Sequence, residues 1–381
     1  MAVLIVLCFV SVLLLESQSR SSYPTYLLAI LMLAFTPRWV DVFRLPLMMW
    51  ITALLAWLSL STFWSEPFDL RAAASNWVRA LLILTFVVAM AECQLRGQLQ
   101  RWMSIGLTLT GVLAVGAAVA NFYLTNPADG RLNGLGQLDT HVIAALVYGV
   151  VLIFVLRAAT TSSHKLVVLF SFCAALLIAY AVYLSDSRNA WVSVVIGVGS
   201  YLLAKRTHDV RQFVAAMAAL AAVLTVSLLI LLLSDTTREL LLPRGTSFRL
   251  DIWSTTWENI TVNGGVLFGL GIATEDDLVI EGLLFSHPHN LYLALVHQGG
   301  LIALALYLGV LWKSFAVFAR KFETEDAKLG LSLLVMAVSA HLLDGHELLD
   351  KVGDTWFLVW MPVGLALGLC WTPGDKEETF V

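Results

Sequence analysis

Long apolar runs separated by short polar segments set the hydropathy pattern of this 381-residue chain. Most runs hold about 15 to 25 residues, enough for a helix to cross the roughly 30 Å hydrocarbon core of a bilayer. They are too long and too uniformly apolar for the strands of a membrane barrel. The pattern predicts an all-α polytopic membrane protein with about 12 transmembrane helices in a single membrane domain, residues 1–381. The candidate spans lie near 2–15, 24–36, 45–61, 76–92, 102–123, 138–156, 166–184, 190–204, 212–234, 289–312, 329–343 and 355–371.

The composition excludes a water-soluble domain, since 59% of the residues are hydrophobic, 13% are charged and the mean hydropathy is +0.83. The net charge of −4, without a basic tract or a zinc-binding spacing, predicts no nucleic-acid partner. The N-terminal apolar run has no Lys or Arg before it and no small-residue cleavage site after it. It is expected to remain as the first membrane helix rather than to be cleaved as a signal peptide.

Lys and Arg are unevenly distributed between the two sets of short loops. One set carries thirteen of them and the other carries five, and the richer side of a membrane protein faces the cytoplasm. Both termini are therefore expected in the cytoplasm, in agreement with an even number of spans. The long segment 235–288 then faces outward, and its run 247–260 is expected to form a helix along the membrane surface.

The segment 286–301, SHPHNLYLALVHQGGL, brings two histidines to the start of a predicted span. Imidazole changes its charge near neutral pH, so its presence at a membrane boundary indicates proton transfer or ligand binding. For His289 the alternative is a helix-capping or packed side chain. His287 either orients His289, contacts a substrate or caps the helix, and Pro288 suits the first turn of that helix.

Three arginines fall on the same predicted side of the membrane, where the positive-inside rule disfavours them. Arg188 lies in a turn of about four residues between two spans, and its planar five-donor group suits a phosphate or a carboxylate. Its alternatives are an ion pair with Asp186 or an interfacial anchor. Arg249 offers the same chemistry unless it is a solvated charge. Arg131 has a pair with Asp129 or with lipid head groups as its alternative.

The segment 341–354, HLLDGHELLDKVGD, is unusually polar for a connection between two spans. It either lines a site, which makes His346 a candidate for substrate binding, or forms a solvated hairpin. Together with the His-Pro-His run it also raises a metal site, with Asp344 or His346 as further ligands. Because an H-x-H pair alone is a weak signal and the other ligands would come from a distant loop, no metal is expected.

Six short segments, spread over most of the chain, form an ordered set: LSTFWSEP (60–67), RLNGLG (131–136), SDSRNAW (185–191), SFRLDIW (247–253), LFGLGIAT (267–274) and HPHNLYLALVHQGGLIA (287–303). On these segments the chain resembles the O-antigen ligase and O-antigen polymerase superfamily, with a ligase favoured. The family signature is His, then Asn, Ser or Gln, nine residues, Gly, two residues, and Gly, Thr or Tyr. His289, Asn290 and Gly300 satisfy it, and Ala303 departs from it at a position that concerns helix packing rather than chemistry.

The resemblance implies a C-type glycosyltransferase fold with one large periplasmic loop, in the bacterial inner membrane, and an active site on the periplasmic face. The donor would be a glycan on undecaprenyl diphosphate. The acceptor would be a sugar hydroxyl of lipid A–core or of another glycan, and membrane lipids would surround the protein. The resemblance implies a reaction that needs neither a nucleotide sugar nor a metal ion, so no cofactor is expected.

The resemblance also suggests roles for individual residues. Arg188 and Arg249 would bind the substrate diphosphate and stabilise its charge as the bond to the sugar breaks. His289 would be the catalytic base that activates the acceptor hydroxyl, with inversion at the anomeric carbon. Further candidates for substrate binding are Arg131, His287, Asn290 and His346.

Two alternatives stay open. A repeat-unit polymerase would use the same donor to extend a carrier-linked glycan, although chain length and the single large outer loop favour the ligase. A lipid-linked glycan transporter belongs to another class, and charged residues in the middle of a span would favour it. Arg79 is the main residue of that kind, whereas the other ionisable groups are expected at one membrane face.

Overall fold

The computed structural model describes residues 1–35, 39–233, 248–275, 277–280, 282–345 and 347–371. Helices form most of this part of the chain, with a two-stranded hairpin between the twelfth and thirteenth helix. The elements are α1 (Ala2–Leu14), α2 (Gln18–Ser21), α3 (Tyr23–Phe35), α4 (Trp39–Phe43), α5 (Pro46–Ser61), α6 (Leu70–Leu95), α7 (Ser104–Thr125), α8 (His141–Thr161), α9 (Lys165–Leu184), α10 (Arg188–Arg206), α11 (Val210–Leu233), α12 (Arg249–Val262), β1 (Leu278–Ile280), β2 (Leu283–Phe285), α13 (Leu291–Arg320), α14 (Glu325–His341) and α15 (Met361–Cys370).

Each of the twelve predicted spans contains one of these helices. Among the described residues, six helices are long and apolar enough to cross a membrane, and they lie at Pro46–Trp64, Leu70–Leu95, Ser104–Thr125, His141–Thr161, Lys165–Leu184 and Leu291–Arg320. The other segments are shorter, as in the 13-residue α1 and α3, or more polar. The polytopic helical class is therefore confirmed, and the count of twelve spans stays a prediction.

Polar residues at the starts of the apolar runs fix where several helices begin. The side chains of Thr140, Ser187 and Asn290 accept hydrogen bonds from backbone amides in the first turns of α8, α10 and α13. Such caps satisfy amides that the start of a helix leaves unpaired. Because Asn290 is the cap, α13 begins at Leu291. The prediction that Pro288 lies in the first turn was therefore wrong, and Pro288 precedes the helix.

The centre of the bundle is formed by α6, α8 and α15. The most apolar windows of α8 and α6 are 72% and 67% buried, against 33% for α7 and 28% for α9. Trp356 and Trp360, in the turn that leads into α15, are fully buried. Exposed apolar side chains on α7 and α9, such as Leu113 and Leu166, then face lipid in a protein of this class.

The first helix belongs to this core. α1 packs against α3, α6 and α7 and buries Ile5, Cys8, Phe9 and Val12. Its apolar run is thus a structural part of the bundle, and its retention as a membrane helix stays a prediction.

The bundle has two polar ends. At one of them, called here the site end, the loop before α8 contacts the ends of α1 and α9. Gln137 donates its backbone N–H to Val12 O at 3.0 Å, and Leu132 donates to Leu184 O at 2.9 Å. The start of α10 joins the end of α14 at the same level, since Asn189 Nδ2 lies 3.2 Å from the carbonyl oxygen of Ala340.

At the opposite end, a buried ion pair joins Arg157, near the end of α8, to Asp326 in the first turn of α14. Gln94 donates to the same carboxylate at 2.6 Å, and Lys205 lies 2.8 Å from Glu325. These basic residues belong to the richer predicted set of loops, whereas Arg131 and Arg188 of the poorer set lie at the site end. The sets are segregated as predicted, and which end faces the cytoplasm stays a prediction.

Part of the predicted outer loop folds into α12 and the hairpin of β1 and β2. The helix predicted over 247–260 is present as α12, which packs against α13 and β1. Ile252, Thr256 and Ile260 are buried along one of its faces. Residues 234–247, 276 and 281 of the predicted loop lie outside the described residues.

A break in α13 receives the segment that follows α12. Gly300 has φ 70° and ψ −170°, a conformation that essentially only glycine adopts. The break frees helix backbone groups for the incoming segment: Leu301 donates its N–H to Val266 O at 2.9 Å, and His297 O accepts from Leu270 N at 2.6 Å. The outer segment is therefore bonded to the helix backbone itself.

Two glycines permit this approach. A side chain at Gly300 would overlap the carbonyl group of Leu267, and one at Gly269 would overlap the backbone at Gly299. The glycine of the signature is therefore required by backbone contact. Gly269 also permits a tight turn, since its φ is 76°.

Candidate active site

A histidine and a carboxylate meet at the site end. His289 precedes the cap of α13 and has a left-handed backbone conformation, φ 49°, that is uncommon for residues other than glycine. Its Nδ1 lies 3.3 Å from Oδ1 of Asp344, in the loop after α14. Asn290 ties the two segments together, because its Nδ2 donates to Leu342 O at 3.0 Å while its Oδ1 accepts from Leu293 N at 3.1 Å.

The Asp344 carboxyl group is held in its ionised form. Burial alone would raise its pKa, but a hydrogen bond from His289, one from the Gly345 amide and the electrostatic influence of the neighbouring His289 and His287 bring the pKa below its ordinary value. An ionised carboxylate can only accept, so Nδ1 of His289 donates to it. Nε2 is then left to accept a proton, which is the tautomer that a general base requires.

The segment before α13 is held by two contacts. Trp253 of α12 donates its indole N–H to Pro288 O at 2.9 Å, and the backbone N–H of His289 donates to Nδ1 of His287 at 3.3 Å. The two imidazole rings lie 4.0 Å apart between centroids, at 60° to each other. Of the alternatives for His287, these contacts favour the one in which it orients His289.

Arg188 is the first residue of α10, and its side chain is exposed at the site end. The turn before it is tight, with Asp186 at φ 46° and Ser187 as the helix cap. Arg131 contacts this turn from the neighbouring loop: its guanidinium lies 3.5 Å from the Asp186 carboxylate and 3.0 Å from Nε2 of His141. Arg131 thus contacts the segment that carries Arg188.

Arg249 is the first residue of α12 and is half-buried. Burial lowers its pKa, while Asp344 acts in the opposite direction and Arg188 in the same one. Arg249 is therefore close enough to both Asp344 and Arg188 for their charges to act on it, and it stays charged because the ordinary pKa of arginine is so high. Its buried Nε has no hydrogen-bond partner within the described ranges.

The starts of three helices therefore lie around the group formed by Arg188, Arg249, His289 and Asp344. The first turns of α10, α12 and α13 present amide groups and the positive ends of helix dipoles. Arg188 and Arg249 add full positive charges at two of these starts, where a cation opposes the dipole. An anion bound between them would relieve that repulsion, and phosphate groups are the usual ligands of helix starts.

His346 lies outside the described residues, so its predicted contact with substrate has no structural account. Within the described ranges, His, Cys, Asp and Glu side chains form no group of three or more that could hold a metal ion. Because His346 belongs to the segment that raised the metal site, the expectation of no metal stays a prediction.

Sequence reasoning missed the role of Asp344, which it suggested only as a metal ligand, and gave no role to His141. The available signal for Asp344 was the polarity of segment 341–354, which follows a span predicted to end on the same face as His289. No spacing rule relates position 289 to position 344, so the hydrogen bond itself could not be read from the chain.

The structure corrects the placement of Arg79 in the middle of a span. α6 begins at Leu70, six residues before the predicted start, so Arg79 lies in its third turn. Its guanidinium reaches the site end, where Nη1 lies 3.4 Å from Leu349 O and 3.8 Å from the Asp350 carboxylate. The main charged residue that favoured a transporter therefore does not lie in the middle of a span.

A cavity of about 600 Å³ opens beside the segment that precedes α13. α6 and α13 form two of its walls, and the segment that follows α12 forms a third. Ser286 and Pro288, the neighbours of His287, also line it. The cavity therefore adjoins the segment that carries His289.

The fold and the site together define a class: a multi-pass helical membrane protein with a His–Asp pair, two arginines at helix starts and an adjoining polar cavity. The sequence profile of the family described as O-antigen ligase matches residues 173–308, which include Arg188, Arg249 and His289. Over 328 residues the chain is 26% identical to the O-antigen ligase of Pseudomonas aeruginosa. The aligned region covers 85% of this chain and 78% of that protein.

The chain is thus similar to O-antigen ligases, through the family model over residues 173–308 and through this relative over most of its length. These similarities support a membrane enzyme of the glycan-transferring kind.

Proposed function

We propose that the protein transfers a glycan from undecaprenyl diphosphate to a sugar hydroxyl of lipid A–core. The observation that carries this proposal is the position of Arg249, which is close enough to feel the charges of both Arg188 and the Asp344 that His289 contacts at 3.3 Å. A diphosphate leaving group requires the positive charge of the arginines, and a hydroxyl nucleophile requires the base of the His–Asp pair.

The arginines act on the donor. Diphosphate is already a good leaving group, so the reaction needs charge stabilisation more than strong acid catalysis. Arg188 and Arg249 clamp the diphosphate with paired N–H donors, supported by the helix starts from which they project. A partly water-excluded site strengthens such contacts. With two guanidinium groups in this role, the reaction proceeds without a metal ion.

The His–Asp pair acts on the acceptor. Nε2 of His289 takes the proton of the acceptor hydroxyl as its oxygen attacks the anomeric carbon of the donor. The bond from that carbon to the phosphate oxygen breaks, its electron pair leaves with undecaprenyl diphosphate, and the anomeric configuration inverts. Asp344 stabilises the imidazolium that forms. The products are the new glycoside and the free carrier, and the proton then passes from His289 to solvent.

The remaining candidates act through these groups. Arg131 holds the turn that carries Arg188, and His287 and Asn290 hold the segment that carries His289. Their removal would therefore displace the reacting groups rather than remove one of them.

We also propose the orientation. The site end faces the periplasm, both termini lie in the cytoplasm, and twelve spans cross the inner membrane. Segment 235–288 is then the periplasmic loop, with α12 near the membrane surface. The basic residues Arg157, Lys205 and Lys328 at the opposite end support this assignment.

Complementation of a ligase-deficient strain tests the proposal. Glycan restored to lipid A–core supports the ligase, whereas longer chains left on the carrier would identify a polymerase. Reconstitution with purified donor and acceptor separates both from a transporter, which would move the donor lipid between leaflets without forming a glycoside.

A further inference from the structure

The cavity of about 600 Å³ beside segment 286–289 is built from opposed charges. Arg71 and Arg79 of α6 line one side, and Glu275 and Asp277 of the segment after α12 line another. The Arg71 guanidinium makes no hydrogen bond or ion pair with the described part of the chain, and the buried Nε of Arg79 has no hydrogen-bond partner there. The lining therefore carries both charged donors and charged acceptors, which come from different segments of the chain.

Buried polar side chains support these walls. Asn76 is 5% exposed, donates to Thr62 Oγ1 at 2.9 Å and accepts from Nη1 of Arg79 at 3.3 Å. Its contacts fix the direction of the Arg79 side chain. His297 and Gln298 of α13, also buried, complete a lining rich in hydrogen-bonding groups.

The wall formed by the segment after α12 is fixed to the bundle. Ser61 Oγ accepts from Ile272 N at 3.1 Å, and Ser65 Oγ accepts from Ala273 N at 3.0 Å. The backbone N–H of Glu66 donates to Thr274 at 3.0 Å. The cavity is therefore formed before any ligand enters, and binding would cost little ordering.

This lining selects the chemistry of the ligand. A second diphosphate would be repelled by Glu275 and Asp277, and an acyl chain would leave the charged walls unsatisfied. Sugar hydroxyls both donate and accept, so a glycan can bond both walls at once. The ligand that fits is a hydroxyl-rich oligosaccharide without a dense negative charge at this position.

We propose that this cavity binds the non-reacting sugars of the acceptor glycan, an inference that rests on the proposed function. The base must face the acceptor hydroxyl, and the cavity adjoins the base through Ser286 and Pro288. Arg188 and Arg249, assigned to the donor, do not line it. Arg71 and Glu275 are then the specificity-determining residues on its two walls.

Binding of a soluble probe tests this without any transfer. The probe is deacylated lipid A–core oligosaccharide, titrated into the full-length protein in nanodiscs. Arg71→Gln and Glu275→Gln should each raise its Kd about tenfold, the loss expected for a hydrogen bond to a charged group. Arg20→Gln, at an exposed arginine of α2 away from the cavity, is the matched control and should leave the Kd unchanged.

Kinetics with purified donor and acceptor then separate the two glycans. Arg71→Gln should raise the KM for the acceptor and leave the KM for the donor unchanged. A rise confined to the donor KM would overturn the inference, because the cavity would then hold the donor glycan. An unchanged Kd in both cavity variants would overturn it as well.

The two proposals fail in distinguishable ways. If the oligosaccharide binds in an Arg71-dependent manner while no donor is ever consumed, the cavity inference stands and the transferase proposal falls. If transfer proceeds and neither cavity variant changes acceptor binding, the transferase stands and the cavity inference falls.

Discussion

The imidazole of His289 and the carboxylate of Asp344 lie 3.3 Å apart although 55 positions separate them in the chain. The start of α13 and the loop after α14 bring them together, with Asn290 bonded across the gap to Leu342 O. Because the carboxylate fixes the proton on Nδ1, the two residues act as one unit, and each should be tested through the other.

Replacing His289 by Ala should abolish glycan transfer, since the acceptor hydroxyl loses its base. The loss should be at least about 100-fold in kcat. Transfer by the reconstituted protein measures it, alongside the amount of protein in the membrane. His208→Ala, in the exposed connection before α11, should retain activity. Normal turnover by a well-expressed His289 variant would remove the base assignment.

Asp344→Asn should lower kcat on the order of 10³ to 10⁴-fold, because an amide no longer holds the imidazole in its basic tautomer. Substrate KM values should change little. Equal losses in Asp344→Asn and in the double variant with His289→Ala would show that the residues act as a unit. A fully active Asp344→Asn enzyme would contradict the hydrogen bond's role.

The lowered pKa of Asp344 has a consequence for acid stability. A carboxyl group with a lowered pKa stabilises the fold above its ordinary value, and this contribution is lost as pH falls through the lowered pKa. The stabilisation by the Asp344 carboxylate should therefore be fully present between pH 8 and pH 5 and should be lost under more acidic conditions. The melting temperature reports it. Asp344→Asn should melt lower than the parent near neutral pH, and the difference should shrink on strong acidification. A difference in melting temperature that grows on acidification would contradict a lowered pKa of Asp344.

Arg188→Lys and Arg249→Lys should each lower kcat/KM for the donor by about tenfold or more, since lysine keeps the charge but loses the paired donors. Kinetics at varied donor concentration measure this effect. Arg20→Lys, at an exposed position of α2, serves as the control. Lysine variants as active as the parent would show that the diphosphate clamp is assigned to the wrong residues.

Gly300→Ala should destabilise the protein by at least about 3 kcal/mol, because the backbone conformation is strained for alanine and the new methyl group overlaps Leu267. Thermal unfolding in detergent measures the loss. Gly199→Ala is the matched control, since a side chain there meets nothing within 4 Å. Similar melting of both variants would mean that the outer segment does not depend on the break in α13.

The extent to which the sequence predicts this molecule differs between its fold and its site. Apolar runs locate the helices because burial in lipid requires a continuous stretch of apolar side chains, and α5, α9 and α13 begin within about two residues of their predicted starts. α6 begins earlier than predicted because its first turns face polar groups at the site end, so that Arg71 and Arg79 interrupt the hydropathy signal.

Contacts between distant segments have no comparable signal in the sequence. The bond from Trp253 to Pro288 O and the bond from Asn290 to Leu342 O depend on how α12 and α14 pack, which no local pattern encodes. The arginines at the starts of α10 and α12 could be identified from their short motifs. Their nearness to Asp344 follows from tertiary structure alone.

The break at Gly300 divides α13 into a short and a long helical part. The part from Leu291 to Gly299 is roughly 13 Å long, less than half of the hydrocarbon thickness, and the hydrogen bond from Leu270 N to His297 O ties it to the outer segment. Tilting of the longer part in a thinner or thicker bilayer would be absorbed at the glycine. We therefore expect the position of the His289 imidazole, which lies just before the short part, to depend little on lipid composition.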